Sequence, residues 1–221
     1  MRSFPLPIAL TARLSPVVVL AAAGWALSSG PLAPPEAPEK KPTGKAAAQS
    51  PAAPSETRAV KTYSAAPAPC TALSAKTVKY LVPGAKTAGK EIPSTDSGLR
   101  RTCSWNALKG YEYRWLDVSF EVLDSDEAAE QSYGGRLEEK SGGGAVPGVG
   151  DAAYSVVNLT TEDKQQTREG VVVARSANAL VIVTYNGSDF ESKKAPGTEE
   201  INKGAIKAAK EAVAALAKAR G

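Results

Sequence analysis

The chain has 221 residues, a formal net charge of +4, a pI near 9.0 and no histidine. Its excess charge lies outside the patterned part: residues 70–221 balance 20 basic against 20 acidic side chains. A nucleic-acid binder concentrates cations to neutralise phosphates, so this balance argues against nucleic acid as a partner. The absence of histidine removes the commonest general base, the commonest metal ligand and every Ser-His or Cys-His nucleophile pair, which disfavours a hydrolase.

At the N-terminus, Arg2 and Arg13 precede an apolar run from Pro16 to Leu27, and small residues follow at Ser28, Ser29 and Gly30. A run of about a dozen residues fits the apolar core of an export signal, whereas a membrane span needs roughly 20. Residues 1–30 therefore read as a signal peptide, with an uncleaved signal anchor as the alternative. The chain would touch a membrane only in that second case. The tract 31–69 is rich in Pro and Ala without hydrophobic periodicity and predicts a disordered, extended linker. A single globular α+β domain is expected over 70–221, and the export signal is expected to place it outside the cell or in its envelope.

The two cysteines, Cys70 and Cys103, are 33 positions apart. In an exported chain they are most simply a disulfide, since catalytic pairs sit as C-x-x-C and an oxidising compartment lets a structural bridge persist. After Cys70, Ser74 caps a short helix with Ala75, Val78, Leu81 and Val82 on one face, ended by Pro83-Gly84. Residues 85–101 form a polar loop that delivers the chain to Cys103-Ser104-Trp105 at the start of a sheet.

From Tyr111 to Leu123 the sequence alternates. Leu116, Val118, Phe120 and Val122 lie on one face and Asp117, Ser119 and Glu121 on the other, which predicts a strand with one wet face. Asp124 to Glu127 begins a helix bearing Ala129, Tyr133 and Leu137, expected to fray at Gly134-Gly135. The glycine-rich stretch Ser141–Gly150 lacks the Gly-Lys-[Ser/Thr] ending of a phosphate loop and reads as a mobile connector. Ala152–Leu159 is a strand, and Glu162 to Lys164 a turn. Gly170–Arg175 and Ala179–Tyr185 make a hairpin about Ser176-Ala177-Asn178. Both faces of that hairpin are apolar, so cover is expected on both sides of the sheet. Thr198 caps a long C-terminal helix with acids first and bases last. Its packing face is Ile201, Ala205, Ala208, Ala209, Ala212, Val213, Leu216 and Ala219.

Trp105, Tyr111, Tyr113 and Trp115 concentrate the large rings, the last three at period two on the side opposite Leu116. They are either core, covered by a helix or loop, or an exposed stripe that binds an apolar ligand, glycan or peptide. Core is the expectation, because large rings in a small domain are usually buried. No catalytic set, metal site or cofactor motif is present in the pattern.

The residues Cys70-Thr-Ala-Leu73-Ser74, Val78, Leu81, Gly84, Cys103-Ser-Trp105 and Val146-Pro-Gly-Val-Gly-Asp-Ala-Ala-Tyr154 resemble an actinobacterial family of exported proteins and lipoproteins of unknown function. Its pattern reads C-x-L-L-S, then C-x-W, then G-x-G-D-x-A-Y; this chain departs from it by lacking the lipidated cysteine. The resemblance implies an α+β domain similar to the Mog1/PsbP-like fold. That means an antiparallel sheet of about five or six strands with helices packed on it, and a Cys70–Cys103 bridge. The expected function is a non-enzymatic ligand- or protein-binding domain on a flexible stalk, its partner an envelope protein, glycan or lipid. The alternative is an envelope enzyme using carboxylate or Tyr/Lys chemistry.

Overall fold

The computed structural model describes residues 61–139 and 142–220, all within one compact unit, Glu56–Gly221. The signal segment and most of the 31–69 tract lie outside the described residues. The elements run β1 (Lys90–Ile92), β2 (Arg100–Lys109), β3 (Glu112–Val122), β4 (Gly144–Ala145), β5 (Ala152–Glu162), β6 (Gln165–Ser176) and β7 (Ala179–Asp189). The helices are α1 (Ala75–Leu81), α2 (Asp126–Glu138) and α3 (Thr198–Lys218). A short 3-10 turn, Pro69–Thr71, precedes α1.

The strands form one sheet in the order β1-β2-β3-β7-β6-β5-β4, antiparallel at every pairing. This is the expected α+β architecture with seven strands. The additional ones are the short edges β1 and β4, too brief to leave a periodic signal. β1 arises inside the stretch read as loop, and β4 inside the glycine-rich connector, where Gly144 and Ala145 pair with Ser155 and Tyr154.

Alternation gives the sheet two unlike faces. On the first, Cys103, Trp105, Leu116, Val118, Phe120, Val172, Val181 and Val183 are all buried beneath α1 and α3. Ile201, Ala205, Ala208, Ala209, Ala212 and Leu216 supply the cover from α3. Gly204 belongs to the same buried face, whereas Ala219, expected there, is exposed at the helix end. The N-cap of α3 is Gly197, with Thr198 the first helical residue.

The second face is roofed only in part. α2 packs Tyr133 against the cluster of Val156, Val171 and Val173, which Tyr154 and Ile182 also join, leaving the other end of that face uncovered. The expectation of cover over both faces thus holds for half of the second. α2 itself does not stop at Gly134-Gly135. Ser125 caps it by accepting from Ala128 N, and Arg136 ties its last turn to Glu121 at 2.6 Å.

Cys70 and Cys103 are joined, with their Cα atoms 5.1 Å apart, so the turn before α1 is fixed to β2. The loop ahead of β1 closes over this bridge at Gly89, where φ is +66° and a Cβ would lie 2.6 Å from both Cys103 Sγ and the Trp105 ring. Glycine is required there on both counts. The folded body also begins before Cys70, correcting the boundary drawn at that residue: Tyr63 and Ala66 are buried, and Ala66 N donates to Gly98 O at 2.8 Å.

Candidate functional site

The uncovered end of the second face is built from side chains that strand register brings side by side. Trp115 stands between Asn106 of β2 and Asn186 of β7. One row along, Asp117 stands between Ser104 and Thr184. In the other direction Tyr113 stands between Leu108 and Ser188.

Trp115 is fixed by its polar atom. Its indole Nε1–H is directed at Ser104 Oγ, 2.8 Å away, and at Asp117 Oδ1, 2.7 Å away. Ser104 is buried, so the ring's polar edge is held inward while 38% of the residue stays in solvent. Tyr113 meets it edge to face, with centroids 6.5 Å apart and planes at 81°. Phe190, just after β7, lies 6.1 Å from Tyr113. Burial, then the charge of Asp117, raises the Tyr113 phenol above its ordinary pKa, so the shelf presents a neutral hydroxyl.

Next to the shelf is a recess of about 500 Å³ between the Ile92–Thr95 segment and the sheet, floored by Thr102, Asp117, Ser119, Ile182 and Thr184. Thr102 and Ser119 share a hydrogen bond of 2.7 Å. Asp117 is the one carboxylate among the residues lining it. The site therefore combines a flat aromatic ledge with a hollow lined by hydroxyls, by the cation Arg100 and by a single acid, Asp117, that touches both.

The four aromatic residues singled out in the sequence divide. Trp105 is 1% exposed on the α3 side, with its Nε1 donating to Thr87 O at 3.1 Å; for it, core is correct. Tyr113 and Trp115 belong to the second face, and Tyr111 is 57% exposed in the β2–β3 turn. The expectation of burial is overturned for Trp115, because α2 packs on β6 and β7 instead, and for Tyr111, because it stands in a turn outside the strands. Phe190, Ser104 and Asp117 were not singled out. Asp117 shares the parity of Trp115, a signal that could have placed it beside the ring.

The carboxylates whose pKa departs from the ordinary value are all held low. Glu91 is lowered by the Arg101 guanidinium that binds it. Backbone N–H donors around Asp189, from Ser192 foremost, lower that residue. Lys203 lowers Glu199, and the main chain and Ser125 at the start of α2 lower Glu127. At Glu211, burial pushes upward, but the hydrogen bonds from Thr77 and Ser74 outweigh it. Among the described residues, no group of three or more Cys, Asp or Glu side chains is placed to hold a metal ion. No described helix is long and apolar enough to cross a membrane.

No protein-family model matches the chain, and no curated protein does. Among solved structures, it is similar to a Bacteroides thetaiotaomicron protein determined at 1.50 Å, with 10% identity and a TM-score of 0.30. The match covers 53% of this chain and 46% of that one, so the chain spans about half that protein's length.

Proposed function

We propose that the protein is an exported, non-enzymatic binding domain of the cell envelope, and that its ligand is a neutral glycan taken up on the Trp115 shelf. The observation that carries this reading is the anchoring of Trp115. The single Nε1–H, shared between Ser104 Oγ and Asp117 Oδ1, holds a part-exposed ring beside a hollow lined largely by hydroxyls. Sugars present an apolar C–H face and a rim of hydroxyls, which such a ledge and hollow match together. A lipid chain would cover the Asp117 carboxylate and the Thr184 hydroxyl with hydrocarbon, at a desolvation cost of about 1–3 kcal/mol each. Asp117 and Arg100 line the hollow together, one acid against one base, a lining without net charge that suits a neutral ligand. The disulfide supports an oxidising location, and the proline-rich tract before the folded body supports a stalk.

Hydrolysis of the glycan is the weaker reading, because glycosidases work with two carboxylates flanking the bond and the hollow offers Asp117 alone. Titration calorimetry with soluble chito- and β-gluco-oligosaccharides tests the proposal. Binding in the micromolar to millimolar range that Trp115→Ala and Asp117→Asn each weaken at least about tenfold supports it. Binding that both variants retain, or release of shorter sugars, overturns it.

A further inference from the structure

A second surface lies at the sheet edge beside β1. That strand pairs only with Thr102, Cys103 and Ser104, so the outer edge of β2 continues past it. The backbone N–H of Val122 donates to Leu99 O, which sets the odd-numbered residues of β2 in hydrogen-bonded pairs with β3. The main-chain groups of Thr102, Ser104, Asn106 and Leu108 must then point the other way. β1 serves the first two. Asn106 and Leu108 have no strand opposite them among the described residues, and both are exposed.

A groove of about 440 Å³ runs between this bare edge and the Gly84–Lys90 loop. Lys86 and Lys90 line it, and Lys109 ends β2 beside it, with its Cβ 4.0 Å from the Cβ position of Gly84. None of these lysines makes an ion pair among the described residues, and the neighbouring Glu91 is bound by Arg101 at 2.6 Å. The edge therefore offers open main-chain donors and acceptors under a locally positive field.

We propose that this edge takes an extended acidic peptide segment of a protein partner, added as a strand beside β2 in line with β1. Its main chain bonds Asn106 and Leu108, its carboxylates meet Lys86, Lys90 and Lys109, and an apolar side chain lies against Leu108, which is 59% exposed. In this mode of recognition the main chain supplies affinity and the side chains supply selectivity. A second copy of the chain is a poorer occupant: antiparallel pairing of two β2 edges would set these lysines against their own counterparts.

Fluorescence polarisation on the full-length chain tests the assignment, using labelled heptapeptides that alternate Glu with Val or Lys with Val. The Glu peptide should bind and weaken as salt rises, and the Lys peptide should not. Leu108→Pro deletes an outward N–H without touching the β2–β3 ladder and should lower affinity at least about tenfold, as should Lys86→Glu with Lys90→Glu. A Glu peptide N-methylated at alternate amides should lose binding on the unaltered protein, which tests the edge even where the proline variant fails to fold. The proposal is overturned by equal binding of both peptides, by full affinity of the methylated peptide, or by no binding at roughly millimolar protein. A dimer of the full chain that Leu108→Pro abolishes would overturn it too.

Discussion

Tyr63 and Asn178 clasp one another through two hydrogen bonds of 2.8 Å: the Tyr63 N–H donates to Asn178 Oδ1, and Asn178 Nδ2 donates to Tyr63 O. The same amide nitrogen reaches Leu123 O at 2.9 Å. One side chain in the β6–β7 turn thus fastens the chain entering the fold and the end of β3. On the far side of Tyr63, Arg220 Nε donates to its hydroxyl at 3.0 Å, bringing the C-terminal residues to the same point.

Asn178→Ala strands three main-chain groups. It is expected to cost about 2–3 kcal/mol and to make the Lys61 bond a tryptic site in the folded protein. Chemical denaturation and limited proteolysis read the two effects.

The fit of α3 on the sheet depends on a missing side chain. A Cβ on Gly204 would lie 2.6 Å from Tyr185 Cε1 and 3.1 Å from Leu81 Cδ2. The Tyr185 ring cannot swing away, because its hydroxyl donates to Leu81 O at 2.8 Å, and burial pushes its pKa up to about 12. Alanine favours an isolated helix over glycine by about 1 kcal/mol, yet Gly204→Ala is expected to destabilise the protein by about 1–3 kcal/mol through overpacking. A rise in melting temperature would contradict this packing.

Two tryptophans ten positions apart should behave oppositely. Trp105→Ala empties a fully enclosed site and is expected to cost about 3–5 kcal/mol. Trp115→Ala removes a ring already 38% exposed and is expected to cost about 1 kcal/mol, the scale of the hydrogen bonding lost. Thermal melts of both variants check the assignment of faces directly.

Glu211 links α3 to the start of α1 by accepting from Ser74 N at 3.0 Å and from Thr77 Oγ1. Burial raises its pKa, the hydrogen bonds lower it by more, and the result lies below the ordinary 4.5. A carboxyl lowered by folding stabilises the protein fully above about pH 4.5 and loses that contribution as acid protonates the folded state. Glu211→Gln is expected to cost about 1 kcal/mol at pH 7. Melts across pH 7 to 3 should show the gap to the wild type closing in the acid range.

The strands β3, β5, β6 and β7 and the helices were legible from local pattern: alternation in β3, apolar runs in β6 and β7, a helical period in α1 and α3, and an acidic start in α2, which buries only Ala129. Leu116, Val118, Phe120 and Val122 declare a strand, and Ile201, Ala205, Ala208 and Ala212 a helix, without reference to the rest of the chain. Parity also separated Tyr113 and Trp115 from Leu116. Caps were legible where a side chain makes them, at Ser74, and not at Gly197, which has no side chain to read.

The candidate site was not legible, because exposure at one end of a sheet depends on how far a helix from elsewhere reaches. Trp105 and Trp115 are both large rings near one turn; the first shares its face with Cys103 and the α3 roof, the second lies outside the cover of α2. The edges β1 and β4 are too short for a period to show and are defined by the strands they pair with, and the clasp of Tyr63 by Asn178 spans 115 positions. Periodicity is a local property and fixed which residues face together; whether a face is covered is a property of the assembled layers, decided only by the tertiary structure.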